Sequence, residues 1–306
     1  MSVGIGVQLP QTTAAATAHG LLDAARAAEE AGLSSISVTE RVLWPVAPVA
    51  LPDGSPGTAP AHQTSIFEGL ETLAAVAAVT ERVDLITAIV VVLFQSPVIL
   101  ARRAATVDLF SNGRLFLGVG LGWMREEFDA AHIPVERRGA RYAEHIAAMR
   151  ALWGPDPVEF EGRFYSVPPS YYGPKPVRPG GVPILAGAGT EAGIRRAARF
   201  ADGWLPVTSA GSTWEGAEAT LRALARAADE AGRERLPIRL RAHTIVTERP
   251  IEGERIPASG SIEQIAEDVS RLEGLGVVDL CLNQTQRGVP WDEQLDAAVR
   301  LKDVIT

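Results

Sequence analysis

Residues 113–128 read GRLFLGVGLGWMREEF. The turn residues Ser111, Asn112 and Gly113 lead into a nearly unbroken apolar run over 114–119, the pattern of a strand covered on both faces. Gly118, Gly120 and Gly122 then alternate. Without a Cβ, the backbone at the end of the strand accepts open φ/ψ values and admits a flat ring at close range. Trp123 and Glu127 follow four apart, the spacing of one helix face. The string therefore reads as strand, cradle and helix, the repeating unit of a parallel α/β fold.

That unit recurs in both directions along the chain. Strands are expected at 3–9, 34–39, 83–92, 114–119, 182–186, 203–207, 238–246 and 277–282. Helices are expected at 14–31, 66–79, 97–109, 136–152, 191–201, 213–231, 262–275 and 291–304. Eight βα pairs in 306 residues predict a (β/α)8 TIM barrel with its active site at the C-terminal ends of the strands. A doubly wound sheet is the alternative. No linker with a composition shift on both sides divides residues 1–306, so one domain is expected. Two connections exceed the usual two to six residues. Residues 41–65, after strand two, hold five prolines and two glycines and read as a lid on the catalytic side, with Trp44 in it. Residues 155–181, before strand five, contain an expected small hairpin over 158–165, read as a brace for the barrel bottom.

The net charge of −8 and the absence of a basic run give nucleic acid and anionic membranes no electrostatic hold. A single cysteine excludes an internal disulfide, and the N-terminal residues lack a signal-peptide pattern, so a cytoplasmic chain is expected. No apolar stretch reaches the roughly 18 residues of a spanning helix.

Candidate chemistry collects at strand ends. Glu40 and Arg41 close strand two, where side chains enter the mouth of a barrel. An arginine holds an anionic oxygen but accepts no proton. Gly187, Ala188, Gly189 and Thr190 follow strand five and open a helix at Glu191, exposing backbone N–H groups of the kind that bind phosphate. Arg239, Arg241 and His243 alternate on strand seven and share one face; burying them under helices would be costly, so they are expected to point inward, His243 nearest the mouth. His19, His62, His132 and His145 lack metal spacing and are expected to be solvated, and no metal motif is visible. Cys281 reads as a core residue, and Asp202-Gly203-Trp204 as a structural turn.

The sixteen-residue string, with its GR, LGVG, GW and EF elements, resembles the luciferase-like monooxygenase superfamily, most closely its deazaflavin (coenzyme F420) dependent oxidoreductases. The resemblance runs along nearly the whole chain and is strongest at 83–128 and 183–206. It implies a barrel that binds coenzyme F420 in its mouth and moves a hydride to or from a small organic substrate. Glu40 and Arg41 would be catalytic, although the superfamily carries histidine where this chain has Arg41; His243, from its place nearest the mouth, is the third catalytic candidate. Glu40, Thr87, Ala88, Ile89, Gly120, Gly122, Trp123, Gly187, Ala188 and Gly189 would bind the cofactor. A cis peptide is implied at Ala88-Ile89, beneath the ring. An FMN-dependent monooxygenase and a non-catalytic flavin-binding protein are the alternatives. Relatives also imply a homodimer through the helices at 66–79 and 97–109, with Ala101, Ala104 and Ala105 on the shared patch.

Overall fold

The computed structural model describes residues 2–12, 16–51, 54–60 and 63–305. In chain order its elements are β1 Gly4–Gln8, α1 Ala18–Glu30, β2 Ser35–Val38, β3 Val49–Ala50, β4 Pro56–Gly57, α2 Gly69–Ala77, β5 Asp84–Thr87, β6 Val90–Val91, α3 Pro97–Phe110 and β7 Leu115–Gly120. There follow α4 Arg125–Ala130, α5 Arg138–Leu152, β8 Val158–Glu161, β9 Ser166–Ser170, β10 Ile184–Ala186, α6 Glu191–Ala197, β11 Gly203–Trp204, β12 Val207–Thr208, α7 Trp214–Glu230, β13 Ile238–Ala242, α8 Ile262–Gly274, β14 Val277–Leu282 and α9 Trp291–Ile305.

Eight parallel strands close into a ring in the order β1, β2, β5, β7, β10, β11, β13, β14. The pairing of Ile184, Leu185 and Ala186 with Leu117, Gly118 and Val119 closes what a doubly wound sheet would leave as two edges. The fold is a TIM barrel, and no described helix is long and apolar enough to cross a membrane.

Side-chain alternation along the strands produces two cores. The larger lies between barrel and helices and takes Ile5, Val7, Ile36, Val38, Leu85, Leu115, Leu117 and Val119 from the strands. The smaller, Ile86, Ala88, Leu185 and Leu205, fills the interior. Below it, Phe116 carries the guanidinium groups of Arg239 and Arg178 at 4.0 and 4.9 Å from its ring centre. Arg239 also donates to Asp84 at 2.7 Å, across the barrel from its own strand. This layer plugs the bottom and leaves the open space at the strand C-termini.

Several expected elements change in detail. Strand three does not run through 83–92: it stops at Thr87, resumes at Val90 and turns into a short 3-10 helix, Val92–Phe94. The interruption is the Ala88-Ile89 peptide, which is cis as expected. Strand six is likewise divided into β11 and β12, and strand seven ends at Ala242 rather than 246. The first helix begins at Ala18, where Thr17 accepts the Gly20 N–H, while the expected start at Ala14 falls outside the described residues. The acidic helix expected from Trp123 is present as α4 but begins at Arg125, so Trp123 precedes it and does not share a helix face with Glu127.

The hairpin is present as antiparallel β8 and β9. Glu144 of α5 accepts the N–H groups of Phe164 and Tyr165 in its turn. His145, on the same helix, is fully buried rather than solvated, because the hairpin covers that face and sets Tyr165 edge-to-face on the imidazole at 5.3 Å. Burial pushes its pKa down to about 3, so it stays neutral. His19 and His132 are exposed, and His62 lies outside the described residues. Asp202 has a bracing role, accepting from Arg150 and from the Ile184 N–H, both at 2.8 Å. Ala101, Ala104 and Ala105 are buried against the barrel, so they are not available to a second copy. The outward side chains of α3 are instead Ile99, Leu109 and Phe110.

Candidate active site

The strand ends surround a cavity of about 730 Å³, within the roughly 300–1,000 Å³ of small-molecule and cofactor sites. Its walls come from the segment just past β2 (Thr39, Glu40, Arg41), the β5–β6 break (Ala88, Ile89), the β7 end (Gly120, Gly122, Trp123) and the loop 187–190. Ten of the residues anticipated from sequence are thus brought together. Thr87 and His243 are not among the lining residues. The Thr87 hydroxyl is buried and donates to the Gly118 carbonyl at 2.9 Å. His243 sits just past β13, its backbone N–H given to Thr208 at 2.9 Å. Its neighbour on the same face, Arg241, lines the cavity instead.

The three glycines serve the barrel wall before they serve a ligand. A Cβ on Gly118 would lie 1.8 Å from the Thr87 carbonyl oxygen, and one on Gly120 would lie 2.1 Å from Cδ1 of Ile89. They therefore make room for the displaced chain at Ala88-Ile89, which in turn forms the wall. Gly122 adopts a φ of +70°, a left-handed value that turns the chain out of β7 toward Trp123.

Arg41 is paired with a carboxylate and packed between two indole rings. Its Nη1 donates to Glu127 Oε2 at 2.7 Å, and the Val42 N–H occupies Oε1 at 2.8 Å. The guanidinium carbon sits 5.1 Å from the ring centres of both Trp44 and Trp123, which meet edge-to-face at 6.0 Å. The charge of Arg41 that could hold an anionic oxygen is already neutralised by Glu127. Glu40 contrasts with it: among the described residues its carboxyl group forms no ion pair. Desolvation raises its pKa first and the nearby Glu68 adds to this, carrying it from the ordinary 4.5 to about 8. At neutral pH it is a carboxylic acid in the cavity wall.

At the far end the loop 187–190 is open: nothing lies within 4 Å of a Cβ built on Gly189. Thr190 caps α6 by accepting the Gly193 N–H at 3.2 Å, so the first turn of this seven-residue helix is already partly satisfied. Positive charge comes instead from Arg138 and Arg196, which line this end and form no ion pair among the described residues. Sequence reading missed both; Arg196 sits three residues past Gly193 on α6, the only signal that it faces the loop. Among the described residues no group of three histidine, cysteine or acidic side chains is placed to hold a metal.

The sequence matches the family model for luciferase-like monooxygenases over residues 1–257. The chain belongs to the luciferase-like monooxygenase family. It is 38% identical over 186 residues to an uncharacterized protein of Mycobacterium tuberculosis, covering 60% of this chain and 65% of that one. It is 35% identical over 170 residues to the F420-dependent glucose-6-phosphate dehydrogenase of Nocardia farcinica, covering 54% and 49%. The match therefore spans less than two thirds of either relative. In three dimensions the barrel is similar to the monooxygenase RslO1 of Streptomyces bottropensis, with a TM-score of 0.77 at 21% identity over 99% of this chain and 98% of that one.

Proposed function

We propose that the protein is an F420-dependent oxidoreductase that moves a hydride between the deazaflavin ring and a small organic substrate in the barrel mouth. The observation that carries this reading is the continuity of one cavity from the Ala88-Ile89 wall, past Gly120 and Gly122, to the open loop at Gly189 and the unpaired Arg138 and Arg196. A flat apolar ring suits the first end and an anionic tail the second. The relative from Nocardia farcinica supports the same cofactor.

The deazaflavin, when bound, supplies the hydride-carrying carbon. The chain supplies the rest. Glu40 holds a proton at its carboxyl group near neutral pH and is placed to share it with a substrate oxygen. Arg41, tied to Glu127, is no base; with Trp44 and Trp123 it forms a wall that keeps water from the reacting face. Ala188, Gly189, Arg138 and Arg196 would hold the tail.

The test is retention of ligand after mixing the protein with coenzyme F420, FMN and FAD in parallel, read by absorbance and mass. Deazaflavin is expected to bind at least tenfold tighter than FMN, about 1.4 kcal/mol. Equal or tighter FMN would move the protein to the reduced-flavin monooxygenases. Binding with no hydride exchange across a panel of alcohols, aldehydes and enones would make it a carrier. The same reading makes the protein a homodimer through the outward faces of α2 and α3, where Ala75, Ile99 and Phe110 are exposed.

A further inference from the structure

Two arginines stand on the inner face of β13, and the fold treats them differently. Arg239 is neutralised: its Nη2 donates to Asp84 at 2.7 Å, and its Nη1 lies 3.9 Å from Asp279. Arg241 is not. Its Nε donates to Gln8 Oε1 at 3.1 Å and its Nη1 to the Ala88 carbonyl at 3.0 Å, both neutral acceptors. It forms no ion pair among the described residues, and no acceptor there is bonded to its Nη2. The titratable side chain nearest it on β14, Cys281, is a thiol 3.0 Å from the Ser37 hydroxyl, and burial pushes its pKa up to about 12, so it provides no counter-charge. An unpaired guanidinium taken out of water is costly, yet this one is clamped in place from two sides and lines the cavity. One of its clamps is the carbonyl of Ala88, on the wall where a flat ring would lie.

We propose that Arg241 recognises the oxygen-bearing pyrimidine edge of a bound flavin or deazaflavin ring, its free Nη2 donating to an oxygen that gains negative charge when the ring is reduced. The assignment rests on the reading that such a ring occupies this cavity, and it makes Arg241 a determinant of redox preference as well as of affinity. The guanidinium is the only group that the inner end of the cavity offers with a full positive charge and no carboxylate among the described residues.

The experiment measures dissociation constants of the oxidised and chemically reduced ring, using whichever of coenzyme F420 and FMN the wild-type protein retains. Wild type, Arg241→Met and Arg241→Lys are compared, with circular dichroism to check folding. Arg241→Gln, which keeps a donor without charge, replaces the Met variant if that does not fold. Arg241→Met is expected to weaken the reduced form about tenfold more than the oxidised form, equivalent to lowering the midpoint potential by about 30 mV for a two-electron couple. Arg241→Lys should recover most of the difference. Equal losses from both redox states, or none, would overturn the assignment alone. A wild-type protein that retains neither ring would overturn the cofactor reading and this assignment with it.

Discussion

Replacing Glu40 with glutamine removes one titration and keeps the shape of the side chain, so its effect on stability is set by pH alone. The folded state holds the Glu40 carboxyl near 8 and the unfolded chain near the ordinary 4.5. Below pH 4.5 both states are protonated, and wild type and Glu40→Gln should differ little. As pH rises from there to about 8, only the unfolded chain releases the proton, so wild type loses stability relative to the variant. That interval, at about 1.4 kcal/mol per pH unit, sets a ceiling of roughly 5 kcal/mol. Because the cavity is open to water, which screens the carboxylate, a realistic gain for Glu40→Gln at pH 8.5 is roughly 2 kcal/mol. Urea denaturation of the cofactor-free protein at pH 5 and pH 8.5 reads this as a midpoint that moves upward by roughly half a molar only at the higher pH. A gap between the two proteins that is the same at both pH values would refute the reasoning, since it would mean that Glu40 ionises normally in the cavity. Under the proposed function the same variant should also lose the limb of the pH–rate profile near 8.

Three other substitutions separate wall, tail and surface. Gly118→Ala would drive a methyl group to 1.8 Å from the Thr87 carbonyl; it should destabilise the barrel by about 3 kcal/mol or more, and a thermal midpoint unchanged within a degree would show that the β5–β7 contact is loose. Gly189→Asp meets no atom within 4 Å, so folding should be unaffected while cofactor binding weakens roughly tenfold or more, about 1.4 kcal/mol, through repulsion of the anionic tail; unaltered affinity would make the loop a simple turn. Ala75→Arg places a charge on the exposed face of α2 and should block dimer formation without unfolding, whereas a wild-type mass of 32.5 kDa by light scattering at micromolar concentration would remove the dimer altogether.

Much of the architecture was legible in local pattern. Apolar runs of strand length alternating with amphipathic stretches announce a parallel barrel, because buried strands and surface helices each impose their own periodicity. The string 113–128 and its resemblance likewise pointed to the wall residues Ala88, Ile89, Gly120 and Gly122, all of which face one cavity. What sequence could not show is which charges find each other. The sequence shows Arg41 at a strand end but not its partner, since only the folded chain brings Glu127, 86 positions away, to its guanidinium. His145 looked solvated until a hairpin some twenty residues later covered it. Arg239, Arg241 and His243 are indistinguishable by alternation, yet one is neutralised by Asp84 and Asp279, one is left unpaired in the cavity, and one lies outside its lining. Periodicity is a property of neighbours along the chain and survives in the sequence. Charge neutralisation and solvent exclusion depend on groups that meet only when the barrel closes, so the tertiary structure alone decided them.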